Sequence, residues 1–135
     1  MIKRAFAALA VVMAATAGTA RALPPLSQQS EINTGLLAIG IADEVRKQCD
    51  RIAPRMLTAF GYLQTLQSKA ADMGYSRAEI DAYVTSAEEK AKMRARGEAV
   101  LAAAGVRRDA PDTFCTYGLA EIAKGSLIGS FLRAR

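Results

Sequence analysis

The 135-residue sequence contains no histidine and no tryptophan, and only two of its residues are cysteines. Histidine is the usual general base near neutral pH and a common zinc ligand, so its absence excludes Ser-His and Cys-His mechanisms. The two cysteines lie far apart, which excludes the Cys-X-X-Cys pair of thiol oxidoreductases. There is also no carboxylate cluster of the calcium-loop kind. We therefore predict no catalytic residue, no metal site and no cofactor.

What the sequence does contain is typical of a folded helical protein. The chain is 51% apolar and 23% charged, with many alanines and only 6% aromatic residues. Its length suits one domain with one core. We predict an all-α fold, a single compact bundle of about four helices with one disulfide.

Residues 1–22 have the pattern of a secretory signal peptide. Lys3 and Arg4 precede an uncharged apolar run from Ala5 to Ala20, and small residues flank a cleavage site after Ala22. The run is shorter than the roughly 20 residues that span a bilayer, which argues against a membrane anchor. Cleavage would lower the basic count from 18 to 15 against 13 acids, and hence the net charge from +5 to +2. We predict a periplasmic protein without stable membrane insertion after cleavage.

Cys49 and Cys115 are predicted to form a disulfide. An exported chain meets an oxidising compartment, and two cysteines allow only one pairing. The closed loop of roughly 67 residues would stabilise the fold by about 4 kcal/mol. The alternative is a pair of buried free thiols.

The order of elements follows from turn and capping residues. Residues 23–33 are rich in proline and polar residues and are predicted to form an extended N-terminal arm, and residues 34–135 are predicted to form the helical domain. A first helix reaches residue 48, and a second starts at Pro54 and stops at Gly74. A capping box at residues 76–79 starts a third helix, which is predicted to continue to residue 104.

The fourth predicted helix runs from Phe114 to Leu132 and is rich in glycine. Glycines inside a helix destabilise it by up to about 1 kcal/mol each unless they serve packing. We predict that they let this helix lie close to the first one. The proposed packing residues are Gly35, Gly40, Gly118, Gly125 and Gly129.

A basic cluster in the third helix raises the possibility of nucleic-acid binding. Its residues are Lys90, Lys92, Arg94 and Arg96. Helical spacing distributes them over two sides and pairs several with glutamates, which indicates an ordinary solvated surface. We predict no nucleic-acid partner.

Carboxylates are the remaining candidates for catalysis. Adjacent acids such as Glu88 and Glu89 lie on exposed-looking faces, whereas Glu121 lies in a mostly apolar helix. A buried acid is either paired or strongly perturbed, and we predict that Glu121 forms a buried ion pair, with an arginine of the first or second helix as the expected partner. A carboxylate-based cell-wall hydrolase is the alternative function, and it requires two acids that face one cleft.

Several segments resemble a known family. They are LPPL and EINTGLL near residues 23–37, GIADEVRKQC at 40–49, GYSRAEI at 74–80, FC at 114–115 and EIAKGSLIG at 121–129. Together they resemble domain-of-unknown-function family 5333, small exported alphaproteobacterial proteins. This resemblance implies an exported, helical, disulfide-bonded domain, and it carries over no catalytic or binding residue. The cysteine layout is also similar to that of periplasmic acid-stress chaperones of the HdeA type.

The leading functional hypothesis is a non-enzymatic periplasmic interaction or binding module. A chaperone-like activity is a specific variant of it. Its partner would be a protein or an envelope component, which the sequence does not identify. The hypothesis depends on the excluded chemistry and on the predicted disulfide-linked fold.

Overall fold

The computed structural model describes residue 18 and residues 22–135. Within this part the chain forms six α-helices and one two-stranded antiparallel sheet. The elements are a 3-10 turn (Leu26–Gln28), α1 (Ser30–Gln48), β1 (Ile52–Pro54), α2 (Met56–Asp72), α3 (Arg77–Thr85), α4 (Ala87–Ala103), α5 (Asp112–Ala123), α6 (Leu127–Ser130) and β2 (Leu132–Ala134). The predicted helical fold is confirmed, although the helices exceed the predicted four and the sheet was not predicted. Apart from residues 18 and 22, the predicted signal peptide lies outside the described residues.

Helix α1 is the centre of the fold, because α2, α4, α5, α6 and β1 all contact it. Its buried side packs into a cluster that we call the disulfide core. Val45 and Cys49 are completely buried there, and Phe114 is 1% exposed. The buried members of the disulfide core are Ala38, Ile41, Ala42, Val45, Cys49, Ile52, Leu101, Val106, Phe114, Cys115, Phe131 and Leu132.

A second, smaller cluster lies beside the N-terminal half of α1. Its buried members are Leu26, Ile32, Leu66, Ala70, Tyr75 and Ile80. We call it the tyrosine cluster, since hydrogen bonds of Tyr75 and Tyr83 surround it. It joins the N-terminal turn to α2 and α3.

The extended arm predicted for residues 23–33 is shorter than expected, because α1 begins at Ser30. Asn33 explains the difference. Its side-chain amide donates hydrogen bonds to the carbonyls of Leu26, at 2.8 Å, and Gln29, at 2.7 Å. The buried amide therefore fixes the turn before the helix, so only residues 23–25 and Gln29 of the predicted arm lack helical structure.

The predicted capping box is confirmed, but the predicted third helix is divided. Ser76 Oγ accepts a hydrogen bond from the Glu79 N–H, and the Glu79 carboxylate accepts one from the Ser76 N–H. The helix then ends at Thr85, and Ser86 caps α4 by accepting from the Glu89 N–H at 3.2 Å. The break lies at Ser86, because its side chain caps a new helix there. Helix α4 then continues through Gly97 without interruption.

The predicted fourth helix is also interrupted. Helix α5 ends at Ala123, and Gly125 adopts a φ of +63°, in the left-handed region that favours glycine. The N–H groups of Gly125 and Ser126 close this turn on the carbonyls of Ile122 and Glu121. The short α6 and strand β2 follow, so residues 127–134 fold back over the core.

The five predicted packing glycines have different roles. A Cβ atom on Gly118 would lie 2.5 Å from Ile52 and 2.6 Å from Val45, which confirms close packing of the last part of the chain on α1 and β1. Gly35 packs tightly too, but against Tyr62 and Leu66 of α2. The prediction that it faces the last helix is wrong.

The remaining three glycines do not have the predicted role of letting the first and last helices approach each other. Gly40 is exposed, and nothing lies within 4 Å of its Cβ position. Gly125 supplies the left-handed turn after α5. Gly129 allows α6 to press against the end of α5, where a Cβ would lie 2.1 Å from the Glu121 carbonyl oxygen.

The two-stranded ribbon joins the middle of the chain to its last residues. Ile52 pairs with Ala134, Ala53 with Arg133 and Pro54 with Leu132. Two further bonds extend the pairing, from the Arg135 N–H to the Arg51 carbonyl at 2.9 Å and from the Arg55 N–H to the Phe131 carbonyl at 2.7 Å. Ile52 and Leu132 are both 1% exposed, so the ribbon forms one wall of the disulfide core.

Candidate functional site

The two cysteines form the predicted disulfide, which is buried. Their sulfur atoms are 2.04 Å apart and their Cα atoms 5.1 Å apart. Cys49 is 0% exposed and Cys115 is 6% exposed. The bond fixes the end of α1 to the first turn of α5 and offers no accessible thiol for chemistry.

Glu121 is buried and ion-paired, as predicted, but its partner differs from the expected one. Its carboxylate lies 2.5 Å from the Lys124 ammonium, one turn further along the chain, and not against an arginine of α1 or α2. Burial by itself raises the pKa of Glu121, and hydrogen bonds from Lys124 and Ser126 together with the Lys124 charge outweigh it, so that the pKa lies below its usual value. The surroundings of Glu121 therefore favour its charged form.

The other acids that line clefts are bound to basic side chains. Asp43 lies 2.6 Å from Arg46 and 2.5 Å from Lys47. Burial raises the pKa of Asp43, but the hydrogen bonds and charges of these two cations lower it further than burial raises it. Glu44 and Glu98 both contact the guanidinium of Arg108, and this shared contact raises the pKa of Arg108.

The basic cluster of α4 forms a solvated surface, because all four of its basic side chains are exposed. Lys92 pairs with Glu88 at 2.9 Å and with Glu89 at 3.3 Å. Arg94 and Arg96 are exposed on the same helix. Together these groups form an ordinary charged face, with acidic and basic residues interleaved.

Residues 18 and 22–135 contain neither a cluster of metal ligands nor a membrane-spanning helix. No group of three or more cysteine, aspartate or glutamate side chains there is placed to hold a metal ion. None of the helices in that part of the chain is long and apolar enough to cross a membrane.

An apolar groove lies between α1 and α2, and we call it the α1–α2 groove. Its volume is about 130 Å³. Ribbon residues close one end, and the ion pair of Asp43 and Arg46 lies at its rim. The lining residues are Ile39, Ala42, Asp43, Arg46, Pro54, Met56, Ala59, Phe60, Leu63, Phe131 and Leu132. The wall is thus almost entirely apolar, with one neutralised pair of charges.

The first two turns of α2 are unusual because large apolar side chains there face solvent. Leu57 is 89% exposed, Phe60 is 58% and Met56 is 49% exposed. Phe60 and Met56 line the α1–α2 groove, whereas Leu57 lies outside it. Contiguous apolar surface of this kind commonly marks an interaction site.

Sequence reasoning assigned these α2 residues to an amphipathic helix and so to the core. The helical period predicts one apolar stripe with Met56, Phe60, Leu63, Leu66 and Ala70 on it. The structure buries only the C-terminal part of this stripe, Leu66 and Ala70, and leaves its first turns exposed. A signal was present in Leu57, because it extends the apolar surface beyond one stripe. When the apolar surface of a helix is wider than one neighbouring element can cover, either a second element buries the rest or the rest stays exposed.

A family of unknown function, DUF5333, matches residues 24–133 of the chain. The chain belongs to this family. The match includes every residue that lines the α1–α2 groove, so the groove is part of the DUF5333 domain. No curated protein and no solved structure matches the chain.

Proposed function

We propose that this DUF5333 protein is an exported, non-enzymatic binding module whose α1–α2 groove accepts an apolar segment of a protein partner. The observation that carries the proposal is the apolar groove beside exposed Met56 and Phe60. A partner side chain in this groove would remove apolar surface from water on both molecules, which is the main favourable term in protein association.

The groove fits a side chain better than a polar small molecule. Only Asp43 and Arg46 supply charged groups at the rim, and they already satisfy one another. Interfaces obtain most of their affinity from a few anchors that fill apolar pockets. An aliphatic or aromatic anchor of a partner protein matches the volume and the lining.

Two features of the chain support a partner in the periplasm. The N-terminal sequence predicts a signal peptide, and a buried disulfide is typical of proteins that fold in an oxidising compartment. The partner would therefore be a periplasmic protein or the periplasmic part of an envelope protein.

Binding is preferred over carboxylate hydrolysis for an electrostatic reason. A catalytic acid needs a raised pKa, and hydrolysis needs two acids at one cleft. Asp43 and Glu121 instead have lowered pKa values, and Glu44 and Glu98 share the cation Arg108. The acids that face clefts thus act as ion-pair partners.

A chaperone-like variant of the proposal is favoured by the carboxylates. Several acids with lowered pKa values lose their ion pairs on acidification, which would loosen helices and expose apolar surface. The variant predicts that the protein suppresses aggregation of a client at low pH. Unchanged near-UV circular dichroism and unchanged client aggregation at pH 3 would contradict it.

Site-specific crosslinking in cells tests the main proposal. A photoreactive phenylalanine analogue replaces Phe60 in one variant and Val100 in a matched control, since Val100 is a partly exposed apolar residue (38%) on α4. We expect a discrete protein adduct at position 60 and none at position 100. Mass spectrometry then identifies the captured protein.

Binding of that protein to purified variants completes the test. The double variant Phe60→Ser, Leu63→Gln should weaken binding by at least about tenfold, because two apolar contacts are lost, whereas Val100→Ser should leave it unchanged. Equal binding by the groove variant, with an unchanged circular dichroism spectrum, would contradict the proposal, and so would crosslinking only to lipid.

A further inference from the structure

The ribbon brings four arginines together at one end of the molecule. Arg51 and Arg135 are neighbours across the two strands, because the Arg135 N–H donates to the Arg51 carbonyl at 2.9 Å. Arg133 lies opposite Ala53, and Arg55 follows β1. All four are exposed, and the alternation of side chains along strands places Arg51, Arg133 and Arg135 on one face.

Such an arrangement is unfavourable by itself. Like charges directly opposite each other on paired strands destabilise a sheet. Asp112, which lies 3.0 Å from Arg51, offsets part of the charge. The ion pairs in the described part of the chain do not include Arg55, Arg133 or Arg135. An anionic surface would relieve this repulsion.

An apolar protrusion lies directly beside the arginines. Arg55 is followed by Met56 and Leu57, and Leu57, at 89% exposure, is the most exposed large apolar residue in the described chain. Phe60 continues the same exposed surface one turn later. Cationic side chains next to protruding apolar ones match the two layers of a lipid surface, anionic head groups and acyl chains.

We propose that the arginine ribbon and the first turn of α2 dock this protein on an anionic phospholipid surface. The arginines bind head-group phosphates, and Leu57, which lies outside the α1–α2 groove, enters the acyl boundary. Docking of this kind is peripheral and reversible, since one helical turn buries too little for insertion. A soluble polyanion would satisfy the arginines but would leave Leu57 in water.

This proposal does not depend on the partner of the α1–α2 groove. The four arginines and Leu57 do not line the groove. Variants at these positions therefore report on lipid binding, and the variants at Phe60 and Leu63 described above report on the groove.

Co-sedimentation with vesicles tests the proposal. The protein is purified without a tag, in the form that accumulates in the producing cells. It is mixed either with anionic vesicles of phosphatidylglycerol and phosphatidylethanolamine or with neutral vesicles of phosphatidylcholine alone. We expect binding to the anionic vesicles that falls steeply as salt rises. Arg133→Gln with Arg135→Gln should weaken it about 30-fold, at about fivefold per arginine near a charged surface.

The controls separate charge at the ribbon from charge in general. Arg94→Gln with Arg96→Gln removes the same charge from α4, a helix that packs against α1 and α3, and should change binding less than twofold. Leu57→Gln should weaken binding about tenfold without changing its salt dependence. Circular dichroism confirms that each variant is folded.

Three results would contradict the proposal. The ribbon variant could bind vesicles as well as the wild type, the α4 variant could lose as much vesicle binding as the ribbon variant, or neutral vesicles could bind the protein as well as anionic ones. The proposal is also wrong if poly-glutamate binds the ribbon while vesicles do not, because that result would assign the arginines to an acidic protein.

Discussion

The disulfide core and the tyrosine cluster are held together in different ways. The disulfide core has twelve buried residues and a covalent link, whereas the tyrosine cluster has six buried residues and relies on side-chain hydrogen bonds. Helix α2 belongs to the less extensively buried side and carries the exposed apolar residues. The covalent link thus stabilises one cluster, whereas the first turns of α2 remain exposed outside both.

The largest expected effect concerns the covalent link. Replacing Cys49 and Cys115 by alanine should lower the free energy of unfolding by about 4 kcal/mol, because the unfolded chain gains the freedom of a long loop. Urea denaturation followed by circular dichroism measures the change. Wild-type protein under reducing conditions should show the same loss, and a loss below about 1 kcal/mol would mean that packing alone maintains the disulfide core.

A smaller effect is expected where α5 packs on α1 and β1. Gly118→Val should lower the free energy of unfolding by about 3 kcal/mol, since even its Cβ would lie 2.5 Å from Ile52. Gly40→Val is the control, and with open space around it this variant should be neutral or stabilised by up to about 0.5 kcal/mol. Thermal denaturation compares the two, and equal stabilities would contradict the close packing.

The tyrosine cluster should respond to the loss of one amide. Asn33→Ala should lower the free energy of unfolding by about 2 kcal/mol, because it removes the hydrogen bonds that the buried amide donates to the carbonyls of Leu26 and Gln29 and the one that it accepts from the Tyr83 hydroxyl. Thr34→Ala, at an exposed neighbouring position, should change little. Hydrogen exchange should accelerate in α3 and before α1 but not in α5. Equal acceleration in α5 would show that the two clusters unfold as one unit.

The smallest effect concerns pH. The folded pKa of Glu121 is lowered, so its ion pair stabilises the fold above the unfolded value of about 4.3, and this stabilisation is lost as pH falls through the folded pKa. Lys124 is 63% exposed, so screening limits the difference to about 1 kcal/mol. The charged and titratable groups that act on each other here are Glu121, Lys124 and Tyr117, whose pKa is raised by burial and by Glu121.

Stability curves of Glu121→Gln against pH check this prediction. The variant should be less stable than the wild type at pH 7, and the difference should disappear as pH falls through the lowered folded pKa of Glu121. Lys124→Met should produce the same convergence. A difference that does not shrink on acidification would mean that the side chain acts by packing and not by charge.

Local signals in the sequence predicted much of the fold. The pairing of Cys49 with Cys115, the capping box at Ser76 and the helix stop at Gly74, where φ is +106°, all depend on residues close in sequence or on the only pairing available. Such features follow from local chemistry. They did not require knowledge of the packed molecule.

The parts that were missed depend on distant contacts. Strands β1 and β2 have three residues each and come from opposite ends of the domain, so neither shows an alternating pattern long enough to recognise. The exposed face of α2 was missed for a related reason. Helical periodicity shows that an apolar stripe exists, but the neighbouring elements decide how much of it is buried, here through Gly35 of α1 against Leu66.

The ribbon and the disulfide also favour each other's formation. Pro54 and Leu132 are distant in sequence, but Ile52 follows Cys49 by three residues and Leu132 follows Cys115 by seventeen. Once the disulfide has formed, the loop that the ribbon must close is several times shorter, which lowers its entropic penalty by about 1 kcal/mol. A paired ribbon favours oxidation of the two cysteines by the same amount, so loss of either link weakens the other.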